Sequence, residues 1–417
     1  MLICLLACSA CGTPASGTDP DKADSRYDVH YTITPDPDSA TVTVTLELTQ
    51  SHGQLKELSF AIAANGPTEI HADGKANTRD GRFHWQPDKT GGRLHWKIKV
   101  PHERSNGGFD AWLQTSWGIF RAEDIIPRAR TRTLKGARSK TTMTFDLPLG
   151  WSAVSEYSSL NKRIRIDIAR RRFDQPRGWM AIGRLGIRRE TIAGIRIAIV
   201  GPEGESVRRM DMLALLNWTL PELTSLLPGA IRRLTIFSAG DPMWRGGLSA
   251  PASIFIHADR PLISENATST LLHEVMHVAL HVKTDVDYDW ISEGLAEYYS
   301  LELLRRGDAI TVRRHSKALK RLSEWADKAE SLCRATSSGS TTALAVMIFH
   351  DLNAEINSGT EGRLSLDDLV TNIADGPTDV DLDTLRELAA NLLGRSSNVL
   401  HGDNLPGCHS MAAPSSA

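Results

Sequence analysis

An α+β chain in two unlike parts is what the sequence predicts, and three observations predict it. Between Tyr27 and about Val100 the apolar residues recur with period two. Val42, Val44, Leu46 and Leu48 alternate with Thr41, Thr43, Thr45 and Glu47, and Leu94, Trp96, Ile98 and Val100 repeat the pattern. Such alternation marks half-buried strands, here separated by Pro, Asp, Gly and Asn clusters. Beyond Thr268 the apolar spacing becomes helical, broken at Gly307 and at the Ser/Gly/Thr run 336–340. The length of 417 residues leaves room for two or three domains of about 150 residues each.

In chain order, residues 1–25 read as a signal and linker. The run MLICLLACSACG is apolar and about ten residues long, too short to span a bilayer but suited to a secretory signal. GTPASGTDPDKADS then reads as a polar tether. Residues 26–191 are expected to form an antiparallel β-sandwich-like domain, with added strands at 141–149 and 163–168. The texture changes at Ile192. Strands are expected at Ile195–Val200, Leu234–Phe237 and Ser253–His257, with a helix over 205–227 interrupted near Pro221. Residues 192–325 make the second domain, and 326–417 a helical lobe with a polar tail.

The tetrads Leu5-Leu6-Ala7-Cys8 and Cys8-Ser9-Ala10-Cys11 both resemble the bacterial lipobox. That resemblance implies lipidation at Cys8 or Cys11. It implies a membrane partner through the lipid anchor, at the periplasmic face of a bacterial membrane, the outer rather than the inner. Export would place Cys333 and Cys408 in an oxidising compartment where they could pair.

With 48 basic and 50 acidic residues the formal net charge is −2, which gives no global pull towards nucleic acid. No nucleic-acid partner is expected. Hydrophobic residues at 41% and charged residues at 24% argue against wholesale disorder and against a multi-span membrane protein. Charge is nonetheless uneven. Residues 121–189 carry many arginines, among them Arg128, Arg130, Arg132, Arg170, Arg171 and Arg172, and residues 351–387 are acidic. Solvated faces or domain docking account for this, and a module binding anionic lipid is the alternative.

The chemistry concentrates in residues 270–300. His273 and His277 stand four apart in the apolar run TLLHEVMHVAL, so a helix puts them on one face, where two imidazoles can bind one Zn²⁺. Glu274 is rotated about 100° from His273 and can address a water on the metal, taking its proton as general base. This is the mechanics of His-Glu-x-x-His. Such a site needs a third protein ligand and keeps a fourth position for water. Sixteen residues after His277, Glu293 lies in DYDWISEGLAEYY, where Asp289 suits an N-cap of a second helix. Glu297 follows one turn later on the same face and could accept the other imidazole N–H of a histidine ligand.

HEVMH followed by WISEGLAEYY resembles the gluzincin metallopeptidases, in particular the peptidase-MA-like branch and relatives of aminopeptidase N and glycyl aminopeptidase. The resemblance implies a thermolysin-like zinc metallopeptidase domain after the β domain. It implies one Zn²⁺ on His273, His277 and Glu293, Glu274 as general base, and a peptide or protein substrate. Gly246–Ser249 and Ser253–His257 look like the edge strand along which gluzincins lay a peptide, which would place Gly247, Ser253 and Phe255 beside it.

The chain departs from that pattern in three ways. The interval from the second histidine to the third-ligand glutamate is shorter than in aminopeptidase N. The glutamate that grips a free substrate amine has no match in Gly247-Leu248-Ser249-Ala250. The downstream tyrosine that supports the oxyanion is absent, because no tyrosine follows Tyr299. Support would then come from zinc, an arginine, His315, His350, Tyr288, Tyr298 or Tyr299. His350 reads better as a core histidine and His315 as a surface one. An endo- or oligopeptidase is therefore expected. The alternative is a catalytically silent zinc lipoprotein acting as a binding or scaffold module.

Three other readings fail on spacing. A metzincin would need glycine and histidine at Leu280 and Lys283. His281 points about 80° away from His273. Asp285, Asp287 and Asp289 imitate a calcium loop, but Trp290 stands where its glycine belongs. No Gly-x-Ser-x-Gly elbow supports a serine hydrolase.

Overall fold

The computed structural model describes residues 25–157, 163–168, 171–376 and 379–408. Cys8 and Cys11 lie outside the described residues.

The first part of the chain is rich in strands. Its largest sheet has six, with Arg26–Asp36 between Thr41–Thr49 and Arg138–Phe145. The alternation read from the sequence turns Val42, Val44, Leu46 and Leu48 inwards, onto a core with Tyr31, Phe60, Trp85 and Trp96. The sheet is not purely antiparallel as expected. Arg26–Asp36 pairs in parallel with Arg138–Phe145, from Arg26↔Arg138 to Ile33↔Phe145. More than a hundred residues and two further sheets separate these strands, so no hairpin constrains their direction.

The second part is built on a five-stranded sheet in the order Leu185–Ile192, Ile195–Pro202, Arg233–Ala239, Ser253–His257, Gly247–Ala250. The middle three strands run parallel. Leu185–Ile192 forms a hairpin with Ile195–Pro202, so the expected division at 191/192 falls inside that hairpin. The sequence hides this strand because Arg188, Arg189, Glu190 and Thr191 are all exposed at the sheet's outer edge, leaving no apolar alternation. The helix expected over 205–227 runs from Arg209 to Leu226, with Pro221 inside it.

One face of this sheet is covered by helices, through Ile197, Ile199, Leu234, Ile236, Ile254 and Ile256. The other packs on the N-terminal sheets, where Trp117, Ile119, Trp179 and Ala181 meet Val200, Phe237 and Phe255. The Trp179 and Phe255 ring centroids are 5.3 Å apart. Helices Val312–Ala326, Ser340–Gly359, Leu366–Asp375 and Leu382–Leu393 complete the same core. Cys333 and Cys408 are joined by a disulfide, with Cα atoms 5.0 Å apart.

Candidate metal centre

The histidine helix spans Thr270–Leu280 and is capped by Ser269, whose side chain accepts from the Leu272 N–H at 3.3 Å. Leu271, Leu272, Val275 and Met276 are buried in the core, which fixes the helix's rotation and turns His273 and His277 together towards the cleft. Their ring centroids are 4.7 Å apart. The helix stops where His281 takes a left-handed conformation, φ 52°, and its side chain is exposed, away from the pair.

The glutamate helix spans Asp289–Arg306. Asp289 is its first residue rather than its N-cap, and its carboxylate accepts instead from the Ser337 N–H at 2.7 Å. Trp290, Ile291, Leu295 and Tyr299 are buried, so Glu293 and Glu297 face the histidines. Glu293 Oε2 lies 3.3 Å from His273 Nε2 and Glu293 Oε1 3.1 Å from His277 Nε2. Glu297 Oε2 lies 3.0 Å from His273 Nδ1. Ser292 Oγ lies 3.4 Å from His277 Nδ1.

These distances fit a metal ion. Among the described residues, His273, His277 and Glu293 form a cluster whose ligand atoms lie within 4.8 Å of one another. The two Nε2 atoms are 3.0 Å apart. A tetrahedral zinc site with bonds of about 2.0–2.1 Å has neighbouring ligand atoms about 3.3 Å apart, so little adjustment is required. With Nδ1–H of His273 given to Glu297, its Nε2 presents a lone pair to the carboxylate and to the second imidazole. A cation satisfies that donor set better than protons do. Burial disfavours the His273 imidazolium, but Glu293 and Glu297 outweigh it and hold its pKa well above the usual histidine range. Burial likewise pushes Glu293 up, and the two histidines prevail and hold it well below the carboxylate range. Three protein ligands facing an open cleft is the pattern of a reactive rather than a closed zinc site.

Glu274 points to the cleft from the next position of the helix and is buried. Burial raises its pKa, and His273 and His277 pull it back. Its side chain also bonds Ser249. A Cβ on Gly247 would sit 2.8 Å from Glu274 Cγ and 2.9 Å from its Oε1, so only glycine lets the carboxylate lie against this strand.

Gly247–Ala250 is itself the sheet edge, paired on one side with Ser253–His257. Of the residues expected beside a substrate, only Gly247 is on that edge. Ser253 and Phe255 belong to the interior neighbour and face the N-terminal domain. Ser253 Oγ accepts from the Trp179 N–H at 3.0 Å, and Phe255 packs on the Trp179 ring. Trp179 also donates its indole N–H to Leu248 O at 3.1 Å, so the N-terminal domain braces the edge strand.

The cleft has a volume of about 770 Å³. No tyrosine lines it. Tyr298 is buried and Tyr299 donates its hydroxyl to Asp367 at 2.9 Å, on the far side of the glutamate helix. Tyr288 and His350 are not among the lining residues. His315, expected at the surface, is buried with its Nε2 2.8 Å from Glu302 Oε1. Sequence reasoning missed Ser292 and the wall formed by Thr336, Ser337, Ser338 and Thr342. The only signal there was a Ser/Gly/Thr run, which marks a loop whatever it lines.

No protein-family model matches this sequence, and no curated protein matches it. Solved structures do. The fold is similar to that of an aminopeptidase N family protein from Idiomarina loihiensis, with a TM-score of 0.63 and 16% identity over 91% of this chain and 74% of that one. Leukotriene A4 hydrolase from Saccharomyces cerevisiae is similar in two structures, each with a TM-score of 0.53 and 14% identity over 90% of this chain. The chain spans 65% and 66% of those two chains. The α+β arrangement is thus an aminopeptidase N-like fold.

Proposed function

We propose that this protein is a zinc-dependent metallopeptidase that hydrolyses peptide bonds as an endo- or oligopeptidase. The observation that carries the reading is the convergence of His273, His277 and Glu293 beside a buried Glu274. The similarity to an aminopeptidase N family protein supports it. Zinc held by the three ligands would supply a Lewis acid that polarises a carbonyl and brings the pKa of water towards neutrality. The chain's own residues do the rest. Glu297 and Ser292 orient the two imidazoles. Glu274 takes a proton from the attacking water and passes it to the leaving amine, and its raised pKa suits a group that must hold the proton in between. The free side of Gly247–Ala250 offers an extended peptide a strand to pair with.

The carboxylates of the cleft support an endo- or oligopeptidase. They are Glu274, Asp289, Glu293 and Glu297. Glu293 and Glu297 are engaged with histidines, and Asp289 with Ser337. Ser249 and Ala250 on the edge strand offer no carboxylate for a free substrate amine. We also propose that the protein is an exported lipoprotein held by lipid on Cys8 or Cys11 at the periplasmic face, in the outer membrane. The lack of a cleft tyrosine favours a second reading, a zinc-bearing scaffold without catalysis.

Cleavage of one peptide with a free and with an acetylated N-terminus tests the reading. Similar rates for both are expected. Loss on acetylation would make it an aminopeptidase, and stoichiometric zinc with neither peptide cut would favour the scaffold.

A further inference from the structure

The metal cleft does not end at the histidines. A second cavity, of about 640 Å³, opens beside it, and Arg260, Thr268, Thr270, Leu322 and Trp325 line both. One wall of this side chamber is the segment 260–268, which leads from strand Ser253–His257 to the histidine helix. The other is the helix Val312–Ala326, with Lys328 just beyond its end. Thr270 stands at the junction. It begins the histidine helix three residues before His273, about 4.5 Å along the axis. A Cβ on Gly247 would lie 2.6 Å from its Cγ2. The wall of the chamber thus touches the edge strand on which a peptide would lie.

The chamber carries cations that the fold leaves uncompensated. Arg260, Arg321 and Lys328 line it, all exposed, against one carboxylate among its described lining residues, Glu324. Glu324 lies 4.0 Å from Lys320 of its own helix. None of the three cations has an ion-pair partner among the described residues. Arg321 is held by neutral acceptors, donating to Asn266 Oδ1 and, at 3.5 Å, to Glu265 O. The Arg260 carbonyl accepts from Arg208, while its guanidinium has no hydrogen-bond partner among the described residues. Arg245, on the cleft, differs, because Asp241 engages its guanidinium at 2.6 and 3.0 Å. Apolar surface adjoins the cations. Trp325 follows Arg321 by one helical turn and keeps 48% of its surface exposed. Its ring meets the cleft wall, with Cζ2 standing 3.5 Å from where a Cβ on Gly339 would lie.

We propose, resting on the peptidase reading above, that this chamber selects substrates with a glutamate or aspartate beside the scissile bond. A carboxylate entering it meets guanidinium groups from two walls, Arg260 from the segment before the histidine helix and Arg321 from the helix opposite. Both make charge-assisted hydrogen bonds with a carboxylate, and guanidinium is weakly hydrated for a cation. The methylenes of the same side chain lie against Trp325 and Leu322. A basic side chain is rejected, because three cations against one carboxylate already leave the chamber positive. The cations are exposed, so this preference weakens as salt rises. A preference set by Trp325 and Leu322 alone would not.

The test uses the full chain with zinc and a set of quenched, C-terminally amidated peptides. Each residue flanking the scissile bond is varied in turn through Glu, Gln, Lys and Phe, and the Glu peptides carry no other carboxylate. Cleavage by the wild type gives kcat/KM, and calorimetry gives the affinity of Glu274→Gln for the same peptides. Both are repeated with Arg260→Ala/Lys328→Ala, whose two sites are exposed, and with Arg260→Glu. At one flanking position the Glu peptide should exceed Gln by at least tenfold, and Lys by more. That ratio should fall towards one in the double variant, and Arg260→Glu should move the preference towards Lys. Cleavage of all peptides at similar rates, or of Phe above Glu, would overturn the acidic preference and leave the peptidase reading intact. So would a Glu preference that neither variant changes. No cleavage by the wild type, with the same Glu preference in binding, would overturn the peptidase reading and keep the acidic site. Neither cleavage nor binding would overturn both.

Discussion

Glu297 Oε2 lies 3.0 Å from His273 Nδ1, one helical turn beyond Glu293, whose carboxylate reaches the Nε2 atoms of both histidines. The two glutamates of one helix thus divide the work on the other. One closes the ligand cluster, and its neighbour fixes which nitrogen His273 presents to it.

Glu297→Gln should therefore weaken zinc binding without abolishing it. Loss of such an orienting partner costs about 10–100-fold in affinity. Titration against a competing chelator measures this. Unchanged affinity would show that the Glu297–His273 contact contributes nothing to the metal site.

Gly247→Ala should lower kcat while leaving zinc content unchanged. Its Cβ would lie 2.6 Å from Thr270 Cγ2 as well as 2.8 Å from Glu274 Cγ, so the Glu274 side chain, the proposed general base, must move. A misplacement of about 1 Å can cost roughly 100-fold. Paired kcat and metal measurements check it, and wild-type kcat would contradict the proposed place of Glu274.

The metal cluster was legible because a helix is a local object. The spacing of His273 and His277 needs only the 3.6-residue period, and Glu293 and Glu297 need only a second helix starting near Asp289. What failed was long-range. Ser253–His257 is apolar and buried on both faces, and nothing local tells such a strand from the edge strand beside it. Trp179 reaches Leu248 across 69 residues. The parallel pairing of Arg26–Asp36 with Arg138–Phe145 is of the same kind. The Cys333–Cys408 link, across 75, is a long-range contact that the sequence did offer, through the oxidising compartment expected of an exported protein, and the disulfide is formed. The Leu185–Ile192 strand escaped for another reason: its exposed residues pair through backbone alone.

Glu302→Gln should destabilise the fold by about 3 kcal/mol, the order seen when one member of a buried ion pair is removed. Burial pushes the Glu302 pKa up, but His315 and Arg305 prevail and bring it down to about 2 from the ordinary 4.5. A lowered folded pKa contributes stability that is full above the ordinary carboxylate value and is lost as pH falls through the folded one. The difference between wild type and variant should be complete at pH 7, shrink below about pH 4.5 and vanish near pH 2. Urea unfolding across that range measures it. A difference that did not depend on pH would place the effect in packing.

Replacing Cys333 and Cys408 together by serine should cost up to about 4 kcal/mol, from the chain entropy of a loop of this length. Cys333 lies three residues before Thr336, where the cleft wall begins. Loss of cleavage beyond the fraction unfolded is expected if the disulfide also holds that wall. Urea unfolding of oxidised and reduced protein, with cleavage followed in parallel, separates the two effects.

Zinc content measured together with peptide cleavage tests the central claim most directly, on the wild type, Glu274→Gln and His277→Ala. The account predicts one zinc per chain in wild type and Glu274→Gln, little or none in His277→Ala, and cleavage of a quenched-peptide library by the wild type alone. A folded wild type that binds no zinc, or a Glu274→Gln variant that cleaves as fast as the wild type, would contradict it.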